Sequence, residues 1–119
     1  MASIKITVGD KTSGGLTLVD ENGNSATNFN AHRGHVITWE IQPGSGVNAL
    51  TGFAQKNVNG NQNVFSSYPA KLGNSRNWQG TVDKDLSPSN SFTDTYEIGW
   101  QDSQGNSYTY DPAIQVNPS

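Results

Sequence analysis

Two histidines, ten carboxylates and a surplus of aromatic and amide side chains are the groups through which this chain can do chemistry. His32 and His35 flank Arg33-Gly34 ahead of an apolar run. Imidazole is the commonest metal ligand, so this pair raises a metal site. The guanidinium between them and the lack of a third ligand nearby count against it. A turn that opens a strand, with both rings partly exposed, is the simpler account. Cysteine is absent and Met1 is the single methionine. That excludes a disulfide scaffold, a thiol nucleophile and a thiolate-ligated copper or zinc centre. No metal and no cofactor are expected.

The carboxylates are Asp10, Asp20, Glu21, Glu40, Asp83, Asp85, Asp94, Glu97, Asp102 and Asp111. Glycoside hydrolysis needs two of them about 5–9.5 Å apart across a cleft. Asp102 and Asp111 flank one expected hairpin, but a turn cap explains Asp102 as well, and Asp111 precedes Pro112. No G-x-S-x-G elbow occurs. Asp20-Glu21-Asn22-Gly23-Asn24 departs from the order of a calcium-binding EF-hand loop, so it reads as a turn. The chain is expected not to be an enzyme.

Aromatic and amide side chains together suggest a binding surface. Trp78 lies among polar neighbours in Asn74-Ser75-Arg76-Asn77-Trp78-Gln79, and Tyr68 lies in a polar stretch. Tyr108 and Tyr110 alternate with Thr109, so they share one strand face. Ring faces stack on the apolar patches of sugars while amides hydrogen-bond the hydroxyls. Trp78, Tyr68, Tyr108, Tyr110 and Asn77 are therefore the candidate ligand-binding residues, and a neutral carbohydrate is the candidate ligand. The alternative is that Trp78 enters the core and the tyrosines pack at the sandwich edge. A second function class is a structural or self-assembling protein, favoured by low charge and unpaired strand edges. The partners implied are a glycan, another protein, or copies of the chain in a homo-oligomer.

The elements that hold these residues are strands. Ile4, Ile6 and Val8 alternate with polar residues, as do Leu16 and Leu18, then Ile37, Trp39 and Ile41. Tyr96, Ile98 and Trp100 follow the same rule, and so do Ile114 and Val116. Each run predicts a strand with one buried face. Weaker strands are expected within Val47–Val58, Trp78–Asp83 and Asn106–Tyr110. Thr12-Ser13-Gly14-Gly15 separates the first two runs. The pattern D-x-x-G-N occurs twice, at Asp20–Asn24 and Asp102–Asn106, with Asp to cap the turn and Gly to supply positive φ. Gly60–Arg76 reads as a long ordered loop with at most one helical turn. The predicted core is Ile4, Ile6, Val8, Leu16, Leu18, Ile37, Trp39, Ile41, Val82, Tyr96, Ile98, Trp100, Ile114 and Val116.

The 119 residues fit one domain, 1–119. Apolar residues make up 32% and charged residues 14%, against about 45–50% (with Gly counted as apolar) and about 25% in ordinary domains. Asn, Gln, Ser and Thr fill the difference. The net charge of −3, with seven cations spread singly, argues against nucleic acid and an anionic membrane surface. Met1–Val8 alternates and has no apolar signal region, so a cytoplasmic protein, or a mature form with an added Met, is expected.

Two segments carry a resemblance. Ala31-His32-Arg33-Gly34-His35-Val36-Ile37-Thr38-Trp39 is similar to the tight turn and strand of cupredoxins. Tyr96–Trp100 through Asp111–Asn117 is similar to their last two strands. The resemblance implies an all-β Greek-key sandwich, here of about seven or eight strands, with an immunoglobulin-like sandwich as the alternative. Copper-bearing members carry Cys, His and often Met between those last strands. Gly99, Trp100, Gln101, Asp102 and Tyr108 stand there instead, so the copper site is not implied. The same ending also resembles small uncharacterised bacterial β-domains.

Overall fold

The computed structural model describes residues 2–10, as backbone, and residues 15–118 in full. The described residues are all-β, with ten strands. They are β1 (Ala2–Asp10), β2 (Gly15–Asp20), β3 (Asn28–Ala31), β4 (Val36–Ile41) and β5 (Val47–Gln55), then β6 (Phe65–Lys71), β7 (Trp78–Val82), β8 (Phe92–Asp102), β9 (Ser107–Tyr110) and β10 (Ala113–Val116). They form two five-stranded sheets packed as a sandwich. One sheet has the order β2-β1-β4-β7-β6; the other has β3-β10-β8-β5, with β9 also on β8. Two pairings are parallel, β1 with β4 and β3 with β10. No helix occurs among the described residues, and none is long and apolar enough to cross a membrane.

Period-2 alternation explains the layering. Along β8, Asp94, Tyr96, Ile98, Trp100 and Asp102 are all fully buried, because alternate side chains of a strand share one face. The opposite face carries Thr93, Thr95, Glu97, Gly99 and Gln101. β5 pairs one edge of β8. β10 pairs the N-terminal half of the other edge and β9 the C-terminal half. The Tyr96 N–H donates to the Pro112 carbonyl (3.0 Å) where those two strands meet. Leu16, Leu18, Ile37, Trp39, Ile41, Val82, Ile114 and Val116 join the buried face as the alternation predicts. The side chains of Ile4, Ile6 and Val8, and the turn Thr12–Gly14, lie outside the described residues.

The two-sheet all-β sandwich is as expected, and one expectation is corrected: Gly60–Arg76 is not a loop but contains β6. β6 pairs β7 through two register shifts, which break the alternation that would reveal a strand. Pro69 sits within it, as edge strands allow. Gly80 of β7 accommodates it: a Cβ there would lie 3.0 Å from Pro69 Cγ. Ala26, Ala31, Val47, Leu50, Val64 and Phe65 complete the core.

Candidate functional site

The candidate ligand-binding residues are divided between the sheets. Trp78 and Tyr68 lie on β7 and β6, Tyr108 and Tyr110 on β9 of the other sheet. All four rings are half-buried and pack against the core. Trp78 meets Phe53 at 5.2 Å, and Phe53 in turn meets Trp39 and Tyr96. Tyr68 reaches the same aromatic cluster through Phe65. Trp39 Nε1 donates to the Tyr96 hydroxyl (3.1 Å) at its centre. Tyr108 stacks on Trp100 at 4.6 Å and donates its hydroxyl to Asp102 Oδ2 (3.1 Å). The Tyr110 hydroxyl shares a hydrogen bond with Thr27 Oγ1 (3.0 Å). Asn77 accepts the Ile41 N–H on its Oδ1 (3.3 Å). The five residues are therefore not gathered on one face; all make contacts within the fold, but the buried Tyr68 hydroxyl and Trp78 Nε1 have no hydrogen-bond partner among the described residues.

The two D-x-x-G-N segments fold alike. Asp20 Oδ1 accepts the N–H groups of Asn22 and Asn24 (2.9 and 3.0 Å). Asp102 Oδ1 accepts those of Gln104 and Asn106 at the same distances. Gly23 and Gly105 take φ of 85° and 83°, which glycine adopts without steric cost. Asp102 is buried, unlike Asp20, and its Oδ2 also accepts from Asn106 Nδ2 and Tyr108. Burial alone would raise its pKa. The hydrogen bonds to the carboxylate outweigh burial and hold it below the usual range. Asp111 sits at the far end of β9 and pairs with Lys56 (3.5 Å), which also meets Glu97.

A cleft of about 410 Å³ opens where three loops meet beyond β4, β7 and β8. Gln42, Ser45 and Asn48 line it from the β4–β5 connection, Arg76 from the β6–β7 loop and Ser103 from the β8–β9 turn. Its walls are built locally. Gly44 and Gly46 hold positive φ. Ser45 Oγ accepts the Val47 N–H (3.3 Å), and Ser75 Oγ donates to the Leu72 carbonyl (2.6 Å). Asn77, next to Arg76, ties the β6–β7 loop to the end of β4 through Ile41. Arg76 Nη1 donates to the Asn48 carbonyl (3.0 Å) and so joins two of the loops. Sequence reasoning missed the cleft because Gln42, Ser45, Asn48 and Ser103 are common turn residues. The Pro43-Gly44-Ser45-Gly46 run was the available signal.

The opposite end is closed by Arg33. Its guanidinium donates to the carbonyls of Leu86, Ser87, Asn90 and Asn117. His32 and His35 meet edge-on with centroids 5.1 Å apart, in a turn closed by His35 N–H to the His32 carbonyl. Among the described residues no third metal-binding side chain joins them. Burial lowers the His35 pKa, and His32 adds to the effect. Nearby, Asp94 accepts the Val64 N–H on Oδ2 (3.2 Å), while Oδ1 has no hydrogen-bond partner among the described residues. Burial pushes its pKa up to about 6. Burial also raises the pKa of Tyr68, and the charge of Asp94 adds to it.

Compared with known protein families, the chain matches no family model. A comparison with curated proteins likewise finds no match.

Proposed function

We propose that this protein is a non-catalytic binding module that takes a carbohydrate in the loop-end cleft. The observation that carries the reading is the convergence of three loops on one cleft whose side chains, Val47 apart, are amides, hydroxyls and a single guanidinium. Its volume falls within the range of about 300–1,000 Å³ usual for ligand sites. Loops held by a rigid sandwich are where such scaffolds carry recognition. Amide and hydroxyl groups match the donor and acceptor pattern of sugar hydroxyls. The non-catalytic part is supported by the carboxylates near the cleft and along β9. Asp102 is committed to capping its turn, and Asp111 to Lys56. Calorimetric titration against a panel of mono- and oligosaccharides tests the reading. Saturable binding that is lost on replacing Asn48 and Ser103 by Ala supports it; no heat at millimolar sugar overturns it.

Kinship with cupredoxin-like sandwiches belongs to the same proposal. Its support is local: the His32–His35 turn opens β4, and β8 forms a long hairpin with β9. Self-assembly is the second reading, favoured by the nine-residue edge strand β5. It is the weaker one. β5 carries two register shifts, and Val58 and Leu72 are the large hydrophobic side chains that stand exposed among the described residues.

A further inference from the structure

The cations of the described residues differ in how fully they are engaged. Arg33 is held by four carbonyls, Lys56 by two carboxylates and Lys84 by Asp85, while Lys71, exposed on β6 outside the cleft, has no side-chain partner among the described residues. Arg76 lines the cleft, is exposed, and has the Asn48 carbonyl as its one hydrogen-bond acceptor among the described residues. No carboxylate of the described residues pairs with it. That single bond anchors one nitrogen and leaves the rest of a planar, five-donor fork available. Around it the cleft offers neutral groups: the amides of Gln42 and Asn48 and the hydroxyls of Ser45 and Ser103. A lone, anchored guanidinium among neutral hydrogen-bonding groups fits one planar anion carried on a polyhydroxylated body.

We propose that the cleft selects a carboxylate-bearing sugar, a uronic acid or its oligomers, with Arg76 pairing the carboxylate side-on. The inference rests on the carbohydrate reading of the cleft, narrows it to acidic sugars, and replaces the neutral ligand expected from the sequence. A carboxylate suits the site better than a phosphate monoester. Two parallel N–H···O bonds satisfy a planar carboxylate. A dianion would meet one cation in a chain of net charge −3.

The test is calorimetric titration of the whole protein with glucuronate oligomers, their uncharged glucose counterparts and a sulfated analogue. Each is repeated with Arg76→Gln and Arg76→Lys. Arg76 is exposed, so both variants should keep the wild-type circular dichroism and melting curve. The expected result is uronate binding that weakens with salt and falls about tenfold in Arg76→Gln, the loss of one charge-assisted pair of hydrogen bonds. Arg76→Lys should restore only part of it. Equal affinity for charged and uncharged sugars, unmoved by Arg76→Gln, overturns the acidic preference and leaves the carbohydrate reading standing. Preference for the sulfated analogue also overturns the carboxylate assignment. Silence from all three at millimolar concentration overturns both readings.

Discussion

Two aspartates at the ends of one buried stripe behave in opposite ways. Asp94 and Asp102 both point from β8 into the sandwich and both are fully buried. Asp102 receives four hydrogen bonds and is stabilised as a carboxylate. Asp94 receives one, and burial lifts its pKa from 3.8 to about 6. Between those two values the folded chain holds a proton that the unfolded chain has released. Stability from Asp94 is therefore present below pH 3.8 and declines as pH rises to about 6. The lowered pKa of Asp102 has the reverse sign: its stabilisation is lost only as pH falls below the ordinary carboxylate range. Asp94→Asn keeps an oxygen for the Val64 N–H and removes the buried charge. It should raise stability at pH 7.5 by about 1–2 kcal/mol, allowing for partial solvent screening, and flatten the slope between pH 4 and 6. Calorimetric melting across that range checks it; a variant that melts lower at pH 7.5 with the slope intact contradicts it. Arg33 is the other residue whose role is single-handed. Arg33→Ala removes four carbonyl contacts and should cost about 1–3 kcal/mol in chemical denaturation.

Strands and turns show where sequence patterns are legible and where they are not. Ile37, Trp39 and Ile41, and the stripe through Tyr96, Ile98 and Trp100, were readable because large apolar residues recur at every second position of β4 and β8, although Thr38 of β4 is buried as well. Trp100→Ala should therefore cost about 3–5 kcal/mol in urea unfolding, and unchanged stability would refute the core assignment. β6 hid because it carries two register shifts, so Phe65 falls out of period, while β5, with two shifts of its own, was legible only as a weak strand within Val47–Val58. The paired turns were readable in both Asp and Gly. What the pattern did not reveal is that one Asp is buried and the other is not. That difference predicts that Asp102→Ala lowers the melting temperature more than Asp20→Ala, with Asp102→Asn intermediate. Equal losses at the two turns would show that the extra Asn106 and Tyr108 bonds contribute nothing. Of the candidate binding residues, Trp78, Tyr68, Tyr108 and Tyr110 were chosen for ring chemistry. The same rings also complete the core, and no pattern along the chain distinguishes the two uses.

At the scale of the molecule, the two ends of the sandwich differ. One end is fastened by Arg33 and holds the buried Asp94. The other carries three polar loops around an open cleft, two of them joined by Arg76 and Asn77. The radius of gyration of 13.8 Å matches a compact chain of this length. The β5 and β6 edges are interrupted by register shifts and, in β6, by Pro69. Together with the short supply of exposed apolar side chains, they predict a monomer in light scattering at high concentration. Binding at the loop end is tested by amide chemical-shift mapping during titration with a glucuronate oligomer. Shifts should concentrate at residues 42–48, 72–77 and 103–106. Perturbations centred on the Arg33 end or on the outer sheet faces, with the loop residues unmoved, would contradict it.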